Sequence, residues 1–226
     1  MSFVNRNSLA LTLDAINEAF FYKRPLSKSI VGEAAQWIAS RQGMPGSYAG
    51  MFAPTQKDFQ NDLVLFTGEK VSTRVGKSHI LGQESCRTLI LLGVKLAKVT
   101  SALERATAGF MEWMKLYAEV EKGTYCCARC SCALWRHLSV GGLENGERIL
   151  TAGMKTLESL RDGKGRWKRF PFYYTLLVLS DIELPAARRE MRYAAPACER
   201  LLRRKTKKDR IGRRRRILAE RILEKY

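Results

Sequence analysis

Three helix ends in this chain share one short pattern, and that pattern limits the fold more than any other feature. It reads Gln-x3-Gly-x-Tyr at Gln42, Gly46 and Tyr48, and Glu-x3-Gly-x-Tyr at Glu119, Gly123 and Tyr125. At Arg161, Gly165 and Trp167 it reads Arg-x3-Gly-x-Trp. Each copy follows an apolar segment with helical spacing. The segments beginning at Cys86, Cys132 and Tyr174 also align, with starts 46 and 42 residues apart. A degenerate unit at Gly76-Lys77-Ser78 fills the gap between the first two clear copies. A period in the forties with two helices per unit is a repeat architecture, in which each helix pair buries its apolar face on its neighbours. The polar residue bonds nearby backbone, glycine turns the chain, and the aromatic seals the next layer.

The copy from Arg161 to Ile182 is the best preserved. Asp162-Gly163 and Gly165 tolerate positive φ and turn the chain cheaply. Trp167 folds back on the preceding helix, and Pro171 suits a first helical position. Phe170 to Leu179 then reads as a buried helix, too short to span a bilayer.

Helical spacing continues along the chain. Asn7 or Ser8 caps a first helix to about Tyr22, and a second runs from about Ser29 to Gln42. Met51 to Lys77 is the least legible stretch, with Gln60 to Phe66 reading as a short helix or an extended piece. Further helices are expected at about 81–96, 101–120, 126–138 and 144–160. A short helix starts at Pro185, and another spans 194–226 with a break at Gly212. Strand signals are nearly absent, so the fold class is all-α. The expected division is a helical-repeat domain over 1–199 and a basic amphipathic helix over 200–226.

Charge separates that tail from the rest. The chain of 226 residues carries +18, and Arg200 to Tyr226 holds 13 basic residues against Asp209, Glu220 and Glu224. Arg203, Arg204, Lys205, Lys207, Lys208 and the run Arg213, Arg214, Arg215, Arg216 form its densest part. They interleave with Leu201, Leu202, Ile211, Ile217, Leu218, Ile222 and Leu223. Such a segment suits phosphate contacts of nucleic acid, an anionic membrane surface, or plain solvation. Few aromatics accompany it, so base stacking and sequence-specific reading are not expected. Asp14 and Glu18 interrupt any signal-peptide core, and no transmembrane segment is evident. A cytoplasmic protein with reduced thiols is therefore expected.

Cys126, Cys127, Cys130 and Cys132 lie within seven residues. On a helix the first three share a face of one turn. Three readings follow: small apolar packing residues, thiolate ligands for zinc, or a reactive thiolate with its pKa lowered by Arg129. The aromatic set Trp135, Trp167, Phe170, Phe172, Tyr173 and Tyr174 reads as core or as the lining of an apolar cavity.

The repeated pattern resembles the QW motif of the terpenoid cyclase and protein prenyltransferase superfamily, over about Ala34 to Ile182. That resemblance implies an α/α toroid whose inner helices surround an apolar cavity for a hydrophobic, isoprenoid-like ligand. It also implies zinc ligands from an Asp-x-Cys pair and a histidine. Cys132 matches the cysteine, whereas Cys130 and Tyr174 stand where the aspartate and histidine would be. The sequence has no Asp-x-Asp-Asp acid, no Asp-Asp-x-x-Asp run, no phosphate loop and no nucleophile elbow. The expectation is thus a hydrophobic-ligand protein of cyclase-like fold. Its alternative is a non-catalytic helical module that holds a polyanion on its basic end.

Overall fold

A computed structural model describes residues 3–204 and 209–225, and divides them into two compact units. Unit 1 comprises Met1–Phe66, Lys70–Ala118 and Val140–Glu144; unit 2 comprises Thr67–Glu69, Glu119–Ser139 and Asn145–Tyr226. Among the described residues there are ten α-helices and one two-stranded hairpin. None of these helices is long and apolar enough to cross a membrane.

Unit 1 is two helical hairpins. In the first, α1 (Leu9–Phe21) precedes α2 (Lys28–Ala39); in the second, α4 (Arg74–Leu92) precedes α5 (Ala97–Met114). The first helix of each hairpin packs on the first of the other, and the second on the second. Leu9, Leu13 and Ile16, spaced as one helical face, are buried in α1. Its start is fixed by Ser8, which caps the Leu11 amide at 3.0 Å. Asp58, in the short α3 (Gln56–Gln60), accepts from the Ser8 hydroxyl at 2.6 Å and the Leu9 amide at 2.9 Å. It also closes a capping box with Thr55, so one carboxylate joins two helix starts. The hard-to-read stretch resolves into α3 and the two-residue strands β1 (Leu63–Val64) and β2 (Lys70–Val71), which pair antiparallel.

Unit 2 repeats the plan. The hairpin of α6 (Ala128–Leu138) and α7 (Gly146–Ser159) is followed by that of α8 (Phe172–Asp181) and α9 (Pro185–Leu202). Here α6 packs on α8, and α7 packs on α9. The third element, α10 (Arg210–Lys225), packs on both α8 and α9 and buries Leu218, Ala219 and Ile222. The division expected after residue 199 therefore falls inside α9. The break expected at Gly212 does not occur there, because Gly212 is buried inside α10.

The repeated pattern marks the ends of the second helices; Gln42 donates to the nearby Gly50 carbonyl at 2.9 Å as expected, and in two copies the polar residue also reaches a later helix. Gln42 accepts from Arg105 of α5 at 2.8 Å. Arg161 donates to Glu190 of α9 at 2.6 and 3.2 Å. In the middle copy the long bond comes from Glu121, which Arg148 of α7 grips at 2.6 and 2.9 Å. The aromatics do seal the next layer: Tyr48 lies on His79 of α4 at 3.9 Å, and Trp167 on Phe172 of α8 at 6.2 Å. A hairpin repeat is thus present in both units.

Candidate functional site

The arginine-rich end of unit 2 is built from the close of α9 and the start of α10. Asp209 opens α10, accepting from the Gly212 amide at 2.6 Å, which satisfies a helix-start donor. The apolar positions of α10 face α8 and α9, and most of its charges, Arg214 apart, fall on the other side. Arg203, Arg204, Arg210, Arg213 and Arg216 are exposed. Positions 210, 213 and 216 are three apart and so lie along one helical strip.

Two arginines of the run serve the fold. Arg214 is only 2% exposed. Arg215 donates to the Thr67 carbonyl at 2.7 Å and lays its guanidinium 4.2 Å over the Tyr173 ring. Gly68 makes that approach possible: with φ at +93, a Cβ there would meet Ile211 at 2.6 Å. Arg216 pairs with Glu220 at 3.1 Å. Lys205, Lys207 and Lys208 lie outside the described residues. Arg210, absent from the sequence-based set, joins the surface; its place one helical turn before Arg213 was the available signal.

Between these helices lies a cleft of about 410 Å³. Tyr173, Leu201, Leu202 and Ile211 supply its apolar wall, and Arg204, Arg215 and Arg216 border it. Guanidinium groups present planar pairs of donors that match phosphate oxygens, and they stay charged at any working pH.

Most of the other aromatics are spent on the core. Trp135 stacks on Phe170 at 5.3 Å and donates its indole N–H to the Gly123 carbonyl at 2.7 Å. That contact needs Gly153, where a Cβ would sit 2.5 Å from the indole nitrogen. Trp167 donates to Glu190 at 2.8 Å. Phe172 and Tyr174 are buried, and the Tyr174 amide donates to Glu69 at 3.2 Å. Of the set expected to line a cavity, Tyr173 is the member that borders the cleft.

The four clustered cysteines are divided by α6. Cys126 and Cys127 are exposed at its start, with Cys130 buried just inside. Cys126 and Cys130 bring their sulfurs within 4.8 Å. Cys132 instead turns into the core, where its thiol meets the Thr175 hydroxyl at 3.7 Å. Burial pushes the Cys132 thiol up, away from the thiolate a metal would need. Tyr174 brings no imidazole to it.

No family model, curated protein or solved structure matches this chain.

Proposed function

We propose that the protein is a binding module that holds the phosphate backbone of a nucleic acid on the arginine surface of α9 and α10. The observation that carries this reading is the strip of exposed arginines at 210, 213 and 216 beside Arg203 and Arg204. Of the acidic residues beside it, Asp209 caps α10 and Glu220 pairs with Arg216, so the net charge of the strip stays positive. Among the described residues, the aromatic at the cleft is Tyr173, which is covered by Arg215 rather than open for a base to stack on. Binding is therefore expected to follow backbone charge and to be indifferent to sequence.

The test is the affinity for a short fluorescent duplex across a salt series. Four or five phosphate contacts give a slope of about −3 to −5 in log K against log salt. The double variant Arg203→Glu and Arg213→Glu should bind at least about tenfold more weakly, with a slope smaller by about 2. Lys95→Glu with Lys98→Glu changes the net charge equally but lies in unit 1, and should bind nearly as the parent does. Equal losses in both variants would attribute binding to overall charge and remove the site.

The apolar wall of the cleft supports a second reading, a hydrophobic ligand with an anionic head, such as a prenyl diphosphate. Its tail would lie on Leu201, Leu202 and Ile211 and its head on Arg204 and Arg216. Saturable binding of such a ligand, lost in Leu202→Asp and kept in Arg213→Glu, would favour it over the first.

A further inference from the structure

The start of α6 carries chemistry that polyanion binding does not use. Cys127 occupies the cap position with an extended backbone (φ −144, ψ 171), and no hydroxyl or carboxylate closes that helix end. Cys127 is exposed, whereas Cys130, one turn into the helix, is buried. Residues three apart on a helix face the same way, with Cβ atoms about 5–6 Å apart. With a rise of about 1.5 Å per residue on a radius of about 2.3 Å, Cα atoms three apart stand about 5 Å from one another, within the roughly 4.4–6.8 Å that the Cα atoms of a disulfide span.

We propose that Cys127 and Cys130 form a dithiol–disulfide couple that exchanges with an external disulfide, Cys127 attacking first and Cys130 resolving. The Cys127 thiolate attacks one sulfur of R–S–S–R, whose S–S bond breaks, and the released RS⁻ takes up a proton. A mixed disulfide remains on Cys127. Cys130 then gives up its proton and attacks the Cys127 sulfur, expelling the second RS⁻, which is protonated in turn. Two protein thiols are oxidised to one disulfide, and one external disulfide is reduced to two thiols.

The division of labour follows from position. An incoming disulfide reaches exposed Cys127 before buried Cys130. The S–H of Cys130, the amides of Cys130 and Arg129 and the Arg129 guanidinium all favour a thiolate at Cys127, held down to about 5. The same negative charge, together with burial, keeps the proton on Cys130 until Cys127 has been consumed. Cys126, with its thiol pushed up by burial and by Cys127, is the poorer nucleophile.

Trypsin makes the test direct, because it cuts after Arg129, between the two thiols. The reduced full-length protein is treated with oxidised glutathione, quenched with an alkylating agent and digested. In the parent, peptide 123–129 should appear joined to peptide 130–136 with no glutathione retained. Cys130→Ser should stop at the first step and keep glutathione on peptide 123–129. Cys126→Ser should give the joined pair as the parent does, and Cys127→Ser should form it at least tenfold more slowly. Positions 126 and 127 are exposed, so neither change empties the core, and the parent alone gives the first readout. A parent that retains glutathione on peptide 123–129 would overturn the proposal. So would a joined pair that survives Cys127→Ser at full rate and vanishes in Cys126→Ser.

Discussion

Glu190 shows how much one buried side chain can hold. It is 1% exposed, and it accepts two hydrogen bonds from Arg161 and one from Trp167. Breaking a buried ion pair by removing one partner costs about 3–5 kcal/mol. The Arg161 side chain keeps 30% of its accessibility, so water recovers part of that, and Glu190→Ala should cost about 2–3 kcal/mol. A urea melt measures it, and Glu190→Gln, which keeps an acceptor, should lose less. Cys127 makes a prediction of a different kind. With its thiol held down to about 5, the reactive thiolate is present above that pH and is lost as pH falls through it. In Cys126→Ser, where Cys127 is the one thiol of peptide 123–129, iodoacetamide labelling of that peptide should therefore be nearly level from pH 6 upward and drop below pH 5. An unperturbed thiol would keep accelerating toward its ordinary pKa of about 8.5. Part of this site was legible: the spacing put Cys127 and Cys130 one turn apart, but Cys126, at φ +52, precedes α6 instead of sharing its first turn. What spacing could not reveal was exposure. Which sulfur meets solvent, and the turn of Cys132 toward Thr175, depend on the packing of α8 against α6.

At the level of elements, α10 separates arginines by function. Arg213→Ala should weaken nucleic-acid binding and leave the melting midpoint nearly unchanged. Arg214→Ala removes a side chain only 2% exposed and should lower stability by at least about 1 kcal/mol while sparing affinity. Equal behaviour of the two would contradict the burial pattern. The apolar helices were legible to within a few residues, because a stripe of buried leucine, isoleucine and alanine repeats at the helical period. Two exceptions stand out: the short helix at Pro185 and the helix over 194–226 are instead α9 over Pro185–Leu202 and α10 over Arg210–Lys225, and α4, expected from Leu81, starts at Arg74. Its first turns carry polar groups that find partners inside the protein. Lys77 donates to the Asn61 carbonyl at 2.6 Å, and Ser78 to that of Gly46 at 2.8 Å. Hydrophobic periodicity cannot detect a helix buried through hydrogen bonds. Gln42 and Arg161 of the repeated pattern, and Glu121 beside Glu119, belong to turns read as local helix ends. The bonds to α5, α7 and α9 escaped that reading because their partners, Arg105, Arg148 and Glu190, sit 27 to 63 residues away.

Over the whole molecule, a charge of +18 on 226 residues means that the folded chain repels itself. Added salt shortens the range of that repulsion, to about 8 Å at physiological strength. The melting temperature should therefore rise by a few degrees between low and physiological sodium chloride, as calorimetry would detect. An unchanged value would mean that the ion pairs along the helices already balance the field.

The seat of α10 has a consequence for assembly. Each unit joins hairpin to hairpin by setting first helix on first and second on second, a scheme with no internal reason to stop. In unit 2, α10 lies across both α8 and α9 with Leu218, Ala219 and Ile222 turned inward. It thus works as an end plate, shielding an apolar flank of the last hairpin and presenting water with a coat of arginines. Repeat arrays need such terminators to remain discrete particles. A chain truncated before Arg210 should therefore stick to copies of itself, which light scattering would register as growth in mass with concentration.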